Sequence, residues 1–334
     1  MIPNGKLKII SGNSNVSLGN SICKRIGLLF GTKVKPVKAR VERFSDQAVF
    51  VEDLGYNSFW LPENHFGENA IPDPLTLLAA ISGVTSKIKL GTTSYLLTLR
   101  NPIQAAEQVA VLDHLCEGRL ILGVGRGFAP EMLKAFHVPI AEKRKIFAWT
   151  LGLMRDAWLG KKISLDGNLE EVVPVYPRPV QTPHPAIWVA AFGPKALAQA
   201  GRMGLPYLCS PMESLDTLLH NYEIHLTASR EEGVEPASIK PLMRTVFVSN
   251  DQAILSRVRE EILNERKNSR PDSAETIEDW TLIGEPNQVS EMIQTYRERI
   301  GMTHLIVTRP RIKGVDQSII RESVRLMAQV SSDL

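Results

Sequence analysis

The chain has 334 residues, 43% of them hydrophobic and 22% charged, with a formal net charge of +3 at pH 7. A balance this close to neutral, with the basic residues scattered, argues against nucleic-acid and acidic-membrane partners, and the apolar fraction suffices for a large core. No apolar run reaches membrane length, and three cysteines without a CxxC pair argue against a disulfide scaffold or metal site and predict a reducing, cytoplasmic setting.

Residues 1–24 carry a short apolar run at 7–10 and a Ser-Gly-Asn-Ser-Asn turn, and read as an N-terminal extension to a domain over 25–334. The first buried strand pattern is 25–31, followed by a basic loop at 32–39. Helical spacing runs over 40–54 through Val41, Phe44, Ala48, Val51 and Leu54, and stops at Gly55. A strand at 58–61 ends in Pro62-Glu63-Asn64-His65. Asp73-Pro74 opens a helix over 73–84, since proline suits the first helical turn. A strand at 88–97 follows, and Pro102 introduces the helix at 103–116, which stops at Glu117-Gly118.

The stretch 119–124 is apolar with little alternation, the pattern of a strand buried on both faces of a parallel sheet. Gly125-Arg126-Gly127 then puts a guanidinium at the carboxyl end of that strand, the edge where α/β proteins bind ligands. Its planar fork suits a phosphate, although an arginine in an ordinary glycine turn is the competing reading. The G-x-G-x-G spacing is neither a dinucleotide nor a nucleoside-triphosphate fingerprint.

The alternation continues with helices at 130–136 and 141–158, and a Pro- and Gly-rich segment at 160–184 that predicts loops or a small hairpin. Next come a strand at 187–191, the turn Phe192-Gly193-Pro194-Lys195, a helix at 195–203, a strand at 205–209 and a helix at 213–233. The strand at 241–248 precedes a charged helical stretch at 251–280 with a polar break at 268–275. A helix at 286–299, the last strand at 303–307 and a helix at 315–331 close the chain. Eight strands separated by helices predict an α/β fold, a (β/α)₈ TIM barrel with an insertion before the last strand.

On such a barrel, function collects where strands end. The positions there are Glu63, Asn64 and His65, then Ser94 to Leu97, Arg126, Phe192 to Lys195, and Arg309 with Arg311. Paired carboxylates and a Ser-His-Asp order are missing, so hydrolysis is not favoured. Histidine both donates and accepts protons near neutral pH, which makes His65 a candidate for exchange with a ligand; closing its own loop is the plainer role. Pro194 opens a helix whose free N-terminal donors and dipole attract phosphate, and Lys195 adds charge.

Several of these pieces together resemble a known family. Leu54-Gly-Tyr-Asn-Ser-Phe-Trp60, Glu63-Asn-His-Phe66, Ile88-Lys-Leu-Gly-Thr-Thr-Ser94, Asn101-Pro102, Leu112-Asp113 and Gly123-Val-Gly-Arg-Gly127 closely resemble the bacterial luciferase-like flavin-dependent monooxygenases. Pro185-Ala-Ile-Trp-Val-Ala-Ala191, Gly204-Leu-Pro206 and Ile283-Gly-Glu-Pro286 agree in order. The resemblance spans roughly 25–334 and implies a barrel that binds FMN, or a deazaflavin coenzyme, at its carboxyl face.

Residue by residue, it implies that Arg126 and Arg144 lie near the flavin phosphate and that Gly193 and Lys195 belong to the phosphate loop. That loop often carries Ser and Thr in the family, and Phe-Gly-Pro-Lys departs from it. Thr93-Ser94 falls where the family often has a cis non-prolyl peptide under the flavin ring. His65 matches the second of two adjacent luciferase histidines; Asn64 replaces the first, so light emission is not expected.

The implied reaction uses reduced FMN from a separate reductase and dioxygen to oxygenate a small organic substrate, with Asn64 and His65 contacting the oxygen adduct. In the deazaflavin branch the chemistry is hydride transfer with His65 as proton relay. Loss of the first histidine also keeps open a flavin-binding protein without turnover. A homodimer through helices beside the second and third strands is a further implication. A shorter resemblance, Lys6-Leu-Lys-Ile-Ile-Ser-Gly-Asn with Arg43-Phe-Ser-Asp46, is to ribose-phosphate pyrophosphokinases, and it ends within the first 50 residues.

Overall fold

A computed structural model describes residues 37–67, 70–164, 172–269, 276–310 and 315–332. The chain divides into two units, Met1–Gln47 and Ala48–Leu334. The expected extension at 1–24, the expected strand at 25–31 and Arg311 lie outside the described residues. In the first unit only a helical segment is described, the start of α1 (Val37–Asp53).

The second unit alternates strands and helices. The strands are β1 (Ser58–Leu61), β2 (Lys89–Thr92), β3 (Tyr95–Leu96), β4 (Leu120–Gly125), β5 (Ala186–Ala190), β6 (Tyr207–Leu208), β7 (Pro241–Val248), β8 (Thr281–Gly284) and β9 (His304–Thr308). The helices after α1 are α2 (Pro74–Ser82), α3 (Pro102–Leu115), α4 (Pro130–Ala135), α5 (Lys143–Trp158), α6 (Pro194–Arg202), α7 (Leu215–Glu232), α8 (Gln252–Ser269), α9 (Pro286–Ile300) and α10 (Gln317–Ser332). Local chemistry sets the helix starts: Asp73 accepts from the Thr76 amide and Asn101 from the Ile103 and Gln104 amides, each just ahead of a proline.

One sheet runs β1-β2-β4-β5-β6 with β3 added on β4, and a second runs β8-β7-β9; every strand pairing is parallel. β6 and β7 meet through a thiol: Cys209 Sγ accepts from the Met243 amide at 3.2 Å and donates to the Pro241 carbonyl at 3.7 Å. β4 is buried at every position, as its unbroken apolar run demands. Each such Leu, Ile or Val contributes about 1.5–3 kcal/mol by leaving water. Trp60 and Trp188 stack at 5.0 Å and His304 meets Trp188 edge-on at 5.4 Å. Glycine at 91 makes that possible, since a Cβ there would run into the Trp60 indole.

Two expectations need correction. The strand expected at 88–97 is two strands, because the chain turns at Thr93-Ser94, where the peptide is cis. The stretch 251–280 is helical only over α8, and a strand that the periodicity does not announce, β8, follows it and pairs with β7. Four fully buried residues are too short for period to separate strand from helix. Where loops or a small hairpin were expected in 160–184, the described residues show one antiparallel bridge between Ile163 and Val173. No helix among the described residues is long and apolar enough to cross a membrane.

Candidate functional site

The carboxyl ends of β1, β2, β4 and β5 carry the expected residues, and they form two groups. The first is built around Glu63, just past β1, whose side chain is fully buried. Its Oε1 accepts from His65 Nε2 and from Arg100 Nη1, both at 2.9 Å, and its Oε2 accepts from the Leu96 amide at 2.9 Å. Arg100 also donates to the Leu96 carbonyl at 3.1 Å and lies 4.0 Å over the Tyr95 ring. Desolvation, opposed by Arg100, pushes the Tyr95 phenol up to about 12, so it stays protonated. His65 packs edge-on against Phe136 at 4.8 Å.

Asn64 has a structural task beside this group. Its Oδ1 accepts from the Ile71 amide at 2.6 Å and its own amide donates to the Ile71 carbonyl at 3.0 Å, which closes the loop after β1. Thr93 donates its amide to the Leu61 carbonyl at 2.8 Å, tying the turn to β1. Ser94 lies against β4, where a Cβ on Gly125 would run into the Ser94 hydroxyl.

The second group surrounds Arg126. The guanidinium expected to meet a phosphate is buried: Nε and Nη2 donate to Gln199 Oε1 at 2.9 and 2.6 Å, and Nη1 donates to the Ala190 carbonyl at 3.0 Å. It stacks 4.2 Å over Phe147. Burial first, then the nearby charge of Arg144, draws its pKa down to about 10. Gln199 donates onward to the Arg144 carbonyl at 3.0 Å, so the Arg126 guanidinium and the Gln199 amide together link the end of β4 to β5, α5 and α6. Arg126 thus holds these elements together, while other cations face solvent.

Those cations line a cleft of about 510 Å³ formed by Arg144, Lys145, Pro194, Lys195, Ala198, Gln199, Arg202 and Ile224. Arg144 and Lys195 were expected; Lys145 and Arg202 were not singled out in the sequence and join the same lining, where Gln199 of α6 bonds to the Arg144 carbonyl of α5. The cleft has four cations and no carboxylate among these residues. It adjoins the start of α6, where Gly193 sits at φ 75° as N-cap and no side chain caps the helix. A β-carbon at that φ is strained, which is why glycine suits the turn. The positive end of the helix dipole, with Arg144, Lys145 and Lys195 in the same lining and Arg202 at the far end of α6, is a setting that attracts an anion. Among the described residues no group of three His, Cys, Asp or Glu could hold a metal ion.

Sequence reasoning missed Arg100 and Gln199. Arg100 pairs with a carboxylate 37 positions away and Gln199 with a guanidinium 73 away. A cation and an amide beside strand ends were the only signals, and neither names its partner.

Comparison with known proteins gives concordant matches. Residues 25–304 match the luciferase-like monooxygenase family. The chain is 32% identical over 335 residues to an F420-dependent glucose-6-phosphate dehydrogenase of Kineococcus radiotolerans, covering 89% of this chain and 94% of that protein. It is 32% identical over 213 residues to protein y4vJ of Sinorhizobium fredii, covering 62% of this chain and 61% of that one. Its fold matches the oxygenating constituent of 3,6-diketocamphane monooxygenase of Pseudomonas putida, solved with FMN, at a TM-score of 0.72 and 20% identity, over 88% of this chain and 93% of the other. The TIM-barrel class expected from the eight strands is thereby shown.

Proposed function

Because the chain belongs to the luciferase-like monooxygenase family, we propose that this flavin-dependent oxidoreductase is a monooxygenase using reduced FMN and dioxygen on a small organic substrate. The observation that carries the reading is the carboxylate-free cationic cleft that runs along α6 from its start. Its residues fit a flavin phosphate: Arg144 and Lys195 supply charge beside the positive end of α6, and the Arg126–Gln199–Arg144 links hold the surrounding elements in place. Thr93 and Ser94 stand at the strand ends where the ring system would rest.

When bound, reduced flavin supplies two electrons for activating oxygen or for hydride transfer. The chain's own contribution is positioning and proton handling. Glu63 accepts the Nε2 hydrogen of His65, so neutral His65 keeps its lone pair on Nδ1. That atom is the one able to take a proton from substrate. Arg100 keeps the Glu63 carboxylate paired, and the Asn64 loop closure holds His65 in place. A separate reductase would deliver the reduced flavin, and the enzyme would act as a homodimer in the cytoplasm.

A second reading is favoured by two observations: a relative that this chain covers almost end to end is named as F420-dependent, and four cations exceed the charge of one phosphate monoester. In it the cofactor is a deazaflavin and the reaction is hydride transfer. Titration with FMN, reduced FMN and the deazaflavin coenzyme separates the two, with oxygen uptake as the second readout. Tight binding of reduced FMN with oxygen consumption supports the first; deazaflavin binding without it supports the second. Flavin binding with no turnover of either kind would leave a flavin-holding protein, and binding of none overturns the reading.

A further inference from the structure

The exposed phenylalanines among the described residues are Phe66 (72% exposed), Phe128 (77%), Phe192 (58%) and Phe136 (39%). All four belong to one end of the strands. Phe66 follows β1, Phe128 follows β4, Phe192 follows β5, and Phe136 ends the short helix α4 that Phe128 leads into. They form two contacting pairs. Phe128 and Phe192 meet edge-on at 6.3 Å, and Phe66 and Phe136 stack at 6.1 Å, with His65 against Phe136.

A phenyl ring left in water forgoes about 1.5–3 kcal/mol of burial free energy, and adjacent exposed aromatics usually mark a binding surface. Phe66 carries a further cost, since its φ of 66° is a left-handed conformation that a bulky side chain rarely adopts. The position of the rings within the fold identifies what covers them. Phe66 adjoins His65, Phe128 adjoins Gly127 of the Arg126 turn, and Phe192 adjoins Gly193 of the phosphate loop. Each ring pair therefore borders the candidate site, one through His65 and the other through the Arg126 and Gly193 turns, and a second copy of the chain seated there would close the face that substrate must cross.

We propose that Phe66, Phe128, Phe136 and Phe192 form the substrate-recognition rim of this enzyme, and that its substrate is a neutral, largely apolar molecule of at least ring size. The proposal deepens the flavin-enzyme reading and rests on it for the identity of the face as an active site. A sugar phosphate, the substrate class in the name of one relative, does not suit this rim. Aromatic side chains here offer faces and edges where a polyhydroxylated substrate needs hydrogen-bond partners.

The test uses the full-length protein and the neutral fluorescent probe N-phenyl-1-naphthylamine. Wild type should bind the probe saturably, 2-undecanone should displace it, and glucose 6-phosphate should not. Phe128→Ser and Phe66→Ser should each weaken probe binding at least tenfold with the far-ultraviolet circular dichroism unchanged. The proposal is overturned if wild type fails to bind, if folded variants bind within twofold of wild type, or if glucose 6-phosphate displaces the probe. It is also overturned if wild type self-associates and Phe128→Ser abolishes that association, since the rings would then be an interface between copies. A parallel flavin titration of wild type keeps the two readings apart: probe binding without flavin binding removes the cofactor assignment, and flavin binding without probe binding removes only the rim.

Discussion

Two buried arginines, one in each sheet, show how the same side chain serves different ends. Arg126 at the end of β4 and Arg244 within β7 both stack near an aromatic ring, Phe147 at 4.2 Å and Tyr296 at 4.8 Å, and both donate to backbone carbonyls. Around Arg244 the network is closed. Its Nη2 donates to the Glu213 carbonyl at 2.7 Å and its Nε to the Tyr296 hydroxyl at 3.1 Å. The Glu213 carboxylate in turn accepts from the Tyr207 hydroxyl, the Ser210 amide and Asn221 Nδ2. Burial pushes the Glu213 carboxyl up, while Tyr207, Ser210 and Arg244 oppose it. Arg126 instead has a neutral amide for its principal partner and Arg144 for its charged neighbour. A buried cation whose environment adds positive charge is costly for the fold, and an anion bound beside Arg144 would lower that cost.

That contrast breaks most visibly at Arg244. Arg244→Met should lower stability by about 3 kcal/mol, because it strands buried carbonyls and a hydroxyl without donors. Urea denaturation reads the loss, and a loss under 1 kcal/mol would show that this network is dispensable. Gln199→Leu should cost about 1–3 kcal/mol, since Arg126 then keeps Nε and Nη2 unpaired in a buried place. The same variant should weaken flavin binding, because the floor of the cleft loses its link to α5.

Arg144→Ala sharpens the other side of the comparison. Flavin affinity should fall about tenfold, equivalent to roughly 1.4 kcal/mol, with melting unchanged and with a shallower dependence of binding on salt than wild type. Equal affinities in isothermal titration would sink the phosphate assignment. The smallest expected effect is on pH. Burial lowers the pKa of His184, His225 and His304 below the ordinary histidine value. Each folded-state pKa is depressed, so the unfolded chain binds more protons once pH drops below about 6.5. Stability present above that value should therefore be lost as pH falls toward 5. His225 gives the physical reason: Nε2 faces the Leu205 carbonyl at 2.9 Å, and its buried Nδ1 has no partner to receive a second proton's charge. Melting curves that stay level between pH 7 and 5 would contradict this.

Much of the fold was legible because its signals are local. Prolines at the first positions of α2, α3, α4, α6 and α9 mark helix starts, since proline suits a first turn and not a helix interior. The unbroken apolar run of β4 marks a strand covered on both faces, and Gly125-Arg126-Gly127 marks its end. From these the barrel class followed, and the likeness of Glu63 to Phe66 and Ile88 to Ser94 to a known family pointed to a flavin. β8 was not legible, because four buried residues after a charged helix carry no period of their own.

The chain order by itself determined which elements form and which residues stand at the strand ends. Only the tertiary structure decided what those residues do there. It paired the Arg126 guanidinium with Gln199 and the Ala190 carbonyl, and it brought Lys145 and Arg202 into one lining with Arg144 and Lys195. It also joined Glu63, His65 and Arg100 through one carboxylate and paired Phe66 with Phe136 and Phe128 with Phe192. The reason is physical: helix and strand patterns depend on neighbours a few residues away, whereas burial and pairing depend on groups brought together from distant parts of the chain.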